Sequence, residues 1–296
     1  LASASLAFLA IQFGLPAWVF VATVVIVAYG NFGQRVAHRL HSDEVVATAG
    51  FVVTGFACGT AAAVIAARTG AGSVALPTAL FLAGTGALVA ALFRSVLFER
   101  DDPLVVLSVG LLLWLLFELD PGAGTRRVFV ALGVSAVLGY IAYALDTASL
   151  PGMLTGVLLS LLTIVLGGYG WFAMLITFFG LGGLSTKYQY EEKQDRGIAE
   201  ANEGARGSGN VLANSIVALV AVVLWAASPT HITVDPALFL YAFAGAVAAA
   251  MTDTFSSEFG GLYDNPRLIT TFERVEPGTD GGVTWQGVVA GLVGAG

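Results

Sequence analysis

The chain has 296 residues, of which 57% are hydrophobic and only 11% charged, against about 25% charged in an average soluble domain. That composition excludes an ordinary soluble globular protein, and the excess of 20 acids over 13 bases, a net charge of −7, argues against nucleic acid as a partner, because its phosphates call for a basic surface. Recurrent apolar runs of membrane-crossing length, without strand-like alternation, predict an all-α, polytopic transmembrane helix bundle of about nine to ten spans embedded in the lipid bilayer.

In chain order the spans are expected at residues 6–29, 45–67, 75–96, 103–119, 128–145, 153–166, 170–184, 210–227 and 236–255, with a tenth starting near Gln286. Residues 153–184 are too long for one ordinary crossing and are interrupted by Gly167, Gly168 and Gly170, so two short helices are expected there. On that count residues 30–44 and 94–102 share one side with the two polar stretches described below. This side carries ten Lys or Arg against three (Arg68, Arg126 and Arg127) on the other, which the positive-inside rule makes cytoplasmic in a multi-pass cell-membrane protein. The chain starts at Leu1 and stops inside an apolar run, as a segment of a longer protein would. Its single cysteine, Cys58, provides no intrachain disulfide or thiolate metal site. An acidic chain with eleven Arg and two Lys suits a salt-loving archaeon.

Two halves are expected: residues 1–151, an N-terminal transmembrane region, and residues 152–296, a C-terminal transmembrane catalytic region. A weak repeat links them. ALFLAGTGALVAALFRSVLFE from Ala79 resembles ALFLYAFAGAVAAAMTDTFSS from Ala237, and SDEVVAT from Ser42 resembles SGNVLAN from Ser208. In this alignment the first copy has lost the polar chemistry, since Ser95 stands where the second has Asp253.

Residues 185–209 and 256–285 hold 16 of the 33 charged residues. The first stretch opens in a helical pattern, with Lys187 and Glu191, then Glu192 and Arg196, at i, i+4. Further on, Arg206, Gly207, Ser208 and Gly209 free the backbone to wrap an anion. Asn210 then begins a helix whose amides suit phosphate, with Asn214 one turn along the same face.

In the second copy Asp253 follows seventeen residues without a charge, and an ionisable residue at the inner end of a span marks a pathway or a site. Ser257 shares its face and Glu258 lies close by. Carboxylates beside hydroxyls suit Mg2+, which takes one or two of them and completes its shell with water and phosphate oxygens. Residues 263–267 form a turn because Asn265 and Pro266 disfavour helix. There Asp264 is a further candidate metal ligand and Arg267 a candidate phosphate clamp. Asp280 in TDGGVT is a third candidate catalytic carboxylate after Asp253 and Glu258, whereas Glu273, Arg274 and Glu276 read as solvated charge. Lys187 is a further candidate for the donor phosphates. The chain has neither GxxxxGK[ST] nor HExxH, and His38, His41 and His231 are too scattered for a histidine metal site.

The strings STKYQYEEK, GIAEANEGARGSGNVLAN, DTFSSEFGG and TTFERVEPGTDGGVTWQG resemble the integral membrane family known as domain of unknown function ninety-two, over residues 152–296. That family includes a chloroplast phytyl-phosphate kinase, and the resemblance implies transfer of a phosphoryl group from a nucleoside triphosphate, CTP or ATP, to a prenyl monophosphate such as phytyl or geranylgeranyl phosphate. The residue roles given above come from the residues themselves. A nucleotidyltransferase making a CDP-lipid, and a secondary transporter with binding groups at broken helices, are the competing functions.

Overall fold

The computed structural model describes residues 2–70, 72–96, 102–120, 122–145, 148–199, 208–228 and 230–296. They form an all-α polytopic membrane bundle. Among the described residues seven helices are long and apolar enough to cross a membrane, accompanied by four shorter apolar helices. The chain divides into two compact units, Leu1–Ala144 with Leu150–Gly168, and Leu145–Ser149 with Tyr169–Gly296.

Unit 1 starts with α1 (Ala2–Gln12), α2 (Ala17–Leu40) and α3 (Glu44–Arg68). The single first span expected at residues 6–29 is instead two helices. Gly14 adopts a φ of +78°, and Pro16, which has no amide to donate, immediately precedes α2. With eleven residues α1 rises about 16 Å, roughly half the hydrocarbon thickness. Much of the segment expected as a loop, residues 30–44, is the end of α2.

The α2–α3 hairpin is drawn tight by glycine. A Cβ on Gly30 would meet the Phe51 ring at 2.7 Å, and one on Gly50 would meet the Ala37 methyl at 2.6 Å; such close backbone approach is how membrane helices gain contact without a hydrophobic driving force. Asp43 caps α3 by accepting from the amides of Val45 at 2.7 Å and Val46 at 3.3 Å, satisfying donors that the first turn leaves open. Its other oxygen accepts from the Tyr143 hydroxyl at 2.9 Å. The Tyr143 bond, followed by the Val45 amide, holds the Asp43 carboxyl below its ordinary value.

The centre of unit 1 is α4 (Leu76–Val96), whose residues 81–92 are all buried. Around it lie α5 (Asp102–Glu118), α6 (Thr125–Ala144) and α7 (Leu150–Leu162). A π-helical turn, Thr163–Gly167, continues α7 to Gly168, whose φ of +103° ends it. Residues 153–184 are thus two helices, as their glycines predict.

Unit 2 holds α8 (Tyr169–Lys187), α9 (Tyr190–Asp195), α10 (Ser208–Ala227), α11 (Pro236–Gly260) and α12 (Trp285–Ala295), with a small antiparallel pair, β1 (Arg267–Leu268) and β2 (Gly282–Val283), before α12. Asp235 caps α11 by accepting from the Ala237 amide at 2.9 Å, with Pro236 at its first position, where a missing donor costs nothing. Trp171 of α8 touches Trp225 of α10 and Phe243 of α11, with centroids 5.2 and 4.7 Å away. Midway along, Phe178 packs with Ala250 and Met251. Helix α12 lies along α11 through a glycine seam: a Cβ on Gly287 would stand 2.9 Å from the Gly260 Cα, and one on Gly291 3.1 Å from the Thr252 carbonyl oxygen.

Candidate functional site

The described parts of the polar strings lie at one end of unit 2. There α8 finishes with Ser185 and Thr186, whose hydroxyls donate back to the Gly182 carbonyl at 2.8 and 3.0 Å. Gln189 then adopts a φ of +49°, a left-handed conformation that ends one helix and aims the next. This break separates Lys187 from Glu191, so the i, i+4 pair expected between them is not formed in a continuous helix. The Glu192–Arg196 pair is formed, at 3.2 Å.

The turn at Gln189 carries Lys193 under the protein. Its side chain is 2% exposed, and its ammonium donates to the Ser185 carbonyl at 2.8 Å, the Thr186 carbonyl at 3.4 Å and Glu258 Oε2 at 2.6 Å. A buried ammonium is tolerated only with such compensation. Here the compensation comes from the carbonyl end of α8, where the helix dipole favours a cation, and from a carboxylate of α11. The same pair ties α8 to α11.

Three further contacts close this end. Arg196 donates to Asp264 at 3.0 Å. Ile198 lies so close to Gly261 that a Cβ there would reach its Cδ1 at 2.6 Å. The Thr284 hydroxyl donates to the Gly260 carbonyl at 3.0 Å and accepts from the Gly287 amide at 3.2 Å, so one side chain stops α11 and caps α12. Residues 263–266 bend the chain ahead of β1, with Asn265 at a φ of +63°, so the expected turn is found except that Arg267 already belongs to the strand.

Most of the sequence-predicted residues have a described setting. Asp253 is exposed on α11, on one stripe with Gly245, Ala249 and Ser257, and among the described residues no side chain engages its carboxylate. The Ser257 hydroxyl donates to the Asp253 carbonyl at 2.9 Å. Glu258 is taken by Lys193, and Asp264 by Arg196. Arg267 donates to the Phe272 carbonyl at 2.7 Å, bracing the turn before β2. Asp280 and Lys187 are exposed, as are Glu273, Arg274 and Glu276. Ser208, Gly209 and Asn210 form the first turn of α10 and Asn214 the next; Arg206 and Gly207 lie outside the described residues.

Helix register sets Asp253 near the start of α10. Trp225 and Phe243 share a level through Trp171, and α10 runs antiparallel to α11 across their short connection. About ten residues further, roughly 15 Å, Asp253 stands level with Ser215, the neighbour of Asn214. Ser215 is 1% exposed and its hydroxyl has no partner among the described residues.

The donor set fits Mg2+ in one mode. Among the described residues no three His, Cys, Asp or Glu side chains gather to form a protein-only metal cage. Mg2+ does not need one, since it binds through one or two carboxylates and keeps water and phosphate oxygens. Asp253 has its carboxylate available for that role, whereas Glu258 and Asp264 are already neutralised by cations.

Sequence reasoning missed Lys193, which lies in the string EEKQD and has the local signature of a solvated helix. The one signal that could have found it is Glu258, a carboxylate near a span end that needed a cation.

The profile of the family described as integral membrane protein DUF92 matches residues 133–296. An uncharacterized membrane protein of Methanocaldococcus jannaschii is 32% identical over 185 residues, which is 60% of this chain and 71% of the relative. In Arabidopsis thaliana, Protein PGR is 32% identical over 56% of this chain and 60% of its own length, and the chloroplastic Protein VTE6 is 31% identical over 49% and 44%. The chain thus spans less than two thirds of either plant relative. No solved structure matches it. With more than half of its length matched, the chain belongs to the integral membrane protein family DUF92.

Proposed function

We propose that the protein is a membrane-embedded, Mg2+-dependent prenyl-phosphate kinase that transfers a phosphoryl group from CTP or ATP to phytyl or geranylgeranyl monophosphate. The observation that carries this reading is that the described parts of the polar strings, which resemble a family containing a phytyl-phosphate kinase, lie together at one end of unit 2. Asp253, whose carboxylate no described side chain engages, stands at that end, near the level of the first turns of α10. The bundle behind them is apolar enough to accept a prenyl tail.

In this mechanism Asp253 holds the metal, which when bound offsets charge on the donor phosphates. Arg206, Lys187 and the backbone of residues 207–210 bind those phosphates, with Asn210 and Asn214 as further phosphate-binding residues. The acceptor is already an ionised phosphate, so no strong general base is required, and positioning with charge neutralisation does most of the work. The Lys193–Glu258 pair acts through geometry: it fixes the end of α8 against α11 and so fixes the helix that bears Asp253. Asp280, Arg267 and Asp264, in the exposed hairpin region, are second-rank candidates for contacting the nucleotide. The polar end faces the cytoplasm, where the nucleotide is supplied.

Product analysis with purified protein, Mg2+, nucleoside triphosphate and prenyl monophosphate tests the proposal. Prenyl diphosphate with release of a nucleoside diphosphate is the expected result. A CDP-lipid with pyrophosphate would instead identify a nucleotidyltransferase, and ligand flux without nucleotide turnover a transporter.

A further inference from the structure

A cavity of about 200 Å³ lies in unit 1, lined by Gln34 of α2, by Glu44, Thr48 and Phe51 of α3, and by Arg94 and Ser95 of α4. Its space is several times the roughly 30 Å³ share of one water and matches a small ionic head group. The lining is mainly polar although α4 is the buried centre of an apolar unit. Phe51, 1% exposed, forms one wall, and the Arg94 guanidinium lies 5.7 Å from its ring centroid, a cation–π position that holds the charge in place. A guanidinium has five donors and can serve more than one acceptor. Thr48 is 6% exposed and turns a hydroxyl-bearing side chain to the cavity. The first amides of α3 do not take part, because Asp43 already accepts from them.

The internal repeat reaches the same place independently. Its alignment of SDEVVAT with SGNVLAN pairs Glu44 with Asn210 and Thr48 with Asn214; the longer match pairs Ala91 with Ala249 and Ser95 with Asp253. Glu44, Thr48, Ala91 and Ser95 all line the cavity. The positions that the proposed kinase site uses on α10 and α11 therefore have counterparts that enclose a cavity between α3 and α4. Where the second copy has the carboxylate proposed to hold Mg2+, the first has a serine, and the residue that aligns with Thr252 is Arg94.

We infer that this cavity is a second, metal-independent binding site, and that its ligand is a small zwitterionic phosphate ester. The phosphate lies on Arg94 with Gln34, Thr48 and Ser95 as hydrogen-bonding neighbours, and the ammonium on Glu44 at the rim. Among the described lining residues one is a cation and one a carboxylate, which suits a zwitterion and disfavours a nucleoside triphosphate. The inference rests on the proposed kinase site only for the identity of the counterpart residues.

The test uses the full chain in nanodiscs of phosphatidylglycerol, titrated calorimetrically with glycerophosphoethanolamine, a net-neutral phosphodiester, in EDTA. One saturable site is expected, unchanged by Asp253→Asn and weakened about tenfold or more by Arg94→Gln and by Glu44→Gln. Glu44 is exposed, so its substitution leaves the fold intact and keeps the test decisive if Arg94→Gln misfolds. Inorganic phosphate should bind about tenfold more weakly or worse. Phosphatidylethanolamine in the discs distinguishes the sources: competition with the soluble ester assigns the site to a lipid head group, and no competition assigns it to a free ester. Absence of saturable binding, binding that survives Glu44→Gln, or binding lost with EDTA or Asp253→Asn would overturn the inference. Binding without kinase turnover would leave this site standing and remove the kinase reading alone.

Discussion

Replacing Lys193 by Met removes an ammonium shared by three oxygens, at 2.6, 2.8 and 3.4 Å. Glu258, 15% exposed, is left without its counter-ion, and two carbonyls at the end of α8 lose their donor. Breaking a buried pair from one side costs about 3–5 kcal/mol; because Glu258 keeps some access to water, the expected loss is near 3 kcal/mol. Glu258→Gln leaves the ammonium its two carbonyls and should cost about 2 kcal/mol, in the range for a hydrogen bond to a charged group. The double variant should be destabilised by less than the sum, with a coupling of about 1–3 kcal/mol. Reversible unfolding in mixed micelles, followed by tryptophan fluorescence, measures all three. Single losses below about 1 kcal/mol, or strict additivity, would refute the view that this pair joins α8 to α11.

Glycine substitutions should divide by their surroundings. Gly287→Ala places a Cβ 2.8 Å from the Ser256 carbonyl oxygen and should destabilise by about 1–3 kcal/mol, whereas Gly245→Ala meets nothing within 4 Å and should be neutral or stabilise by up to about 1 kcal/mol, both read in the same unfolding assay. Asp43 has a folded-state pKa below its ordinary value of 3.8. Its contribution is therefore complete above that value and is lost as pH falls through the lower, folded one. Thermal melts taken from about pH 5 downward should lose stability less steeply in Asp43→Ala than in the parent chain. Asp253 is exposed and unengaged among the described residues, so Asp253→Asn should leave stability within about 0.5 kcal/mol while lowering turnover about a hundredfold or more.

The membrane class, most helix positions and the break between α7 and α8 were legible because apolar length and glycine clusters are local signals. The turn at residues 263–267 was legible for the same reason, through Asn265 and Pro266. The break between α1 and α2 was hidden by Phe13 and Leu15, which keep the run apolar around Gly14 and Pro16. The left-handed Gln189 carries no glycine to announce it, and the helical pattern of charges runs straight across it. Lys193 was illegible for a deeper reason: its burial depends on α11, 65 residues away along the chain. Asp253 stood out because a charge inside a long apolar run is costly wherever it folds.

The central claim is phosphoryl transfer to a prenyl phosphate at Asp253. The most direct measurement incubates the full-length protein in bilayers with geranylgeranyl monophosphate, Mg2+ and nucleoside triphosphate labelled at the γ-phosphoryl group, with Asp253→Asn in parallel. The label should appear in geranylgeranyl diphosphate for the parent protein and be nearly absent for the folded variant. Label remaining in pyrophosphate beside a CDP-lipid, or equal transfer by Asp253→Asn, would contradict the claim.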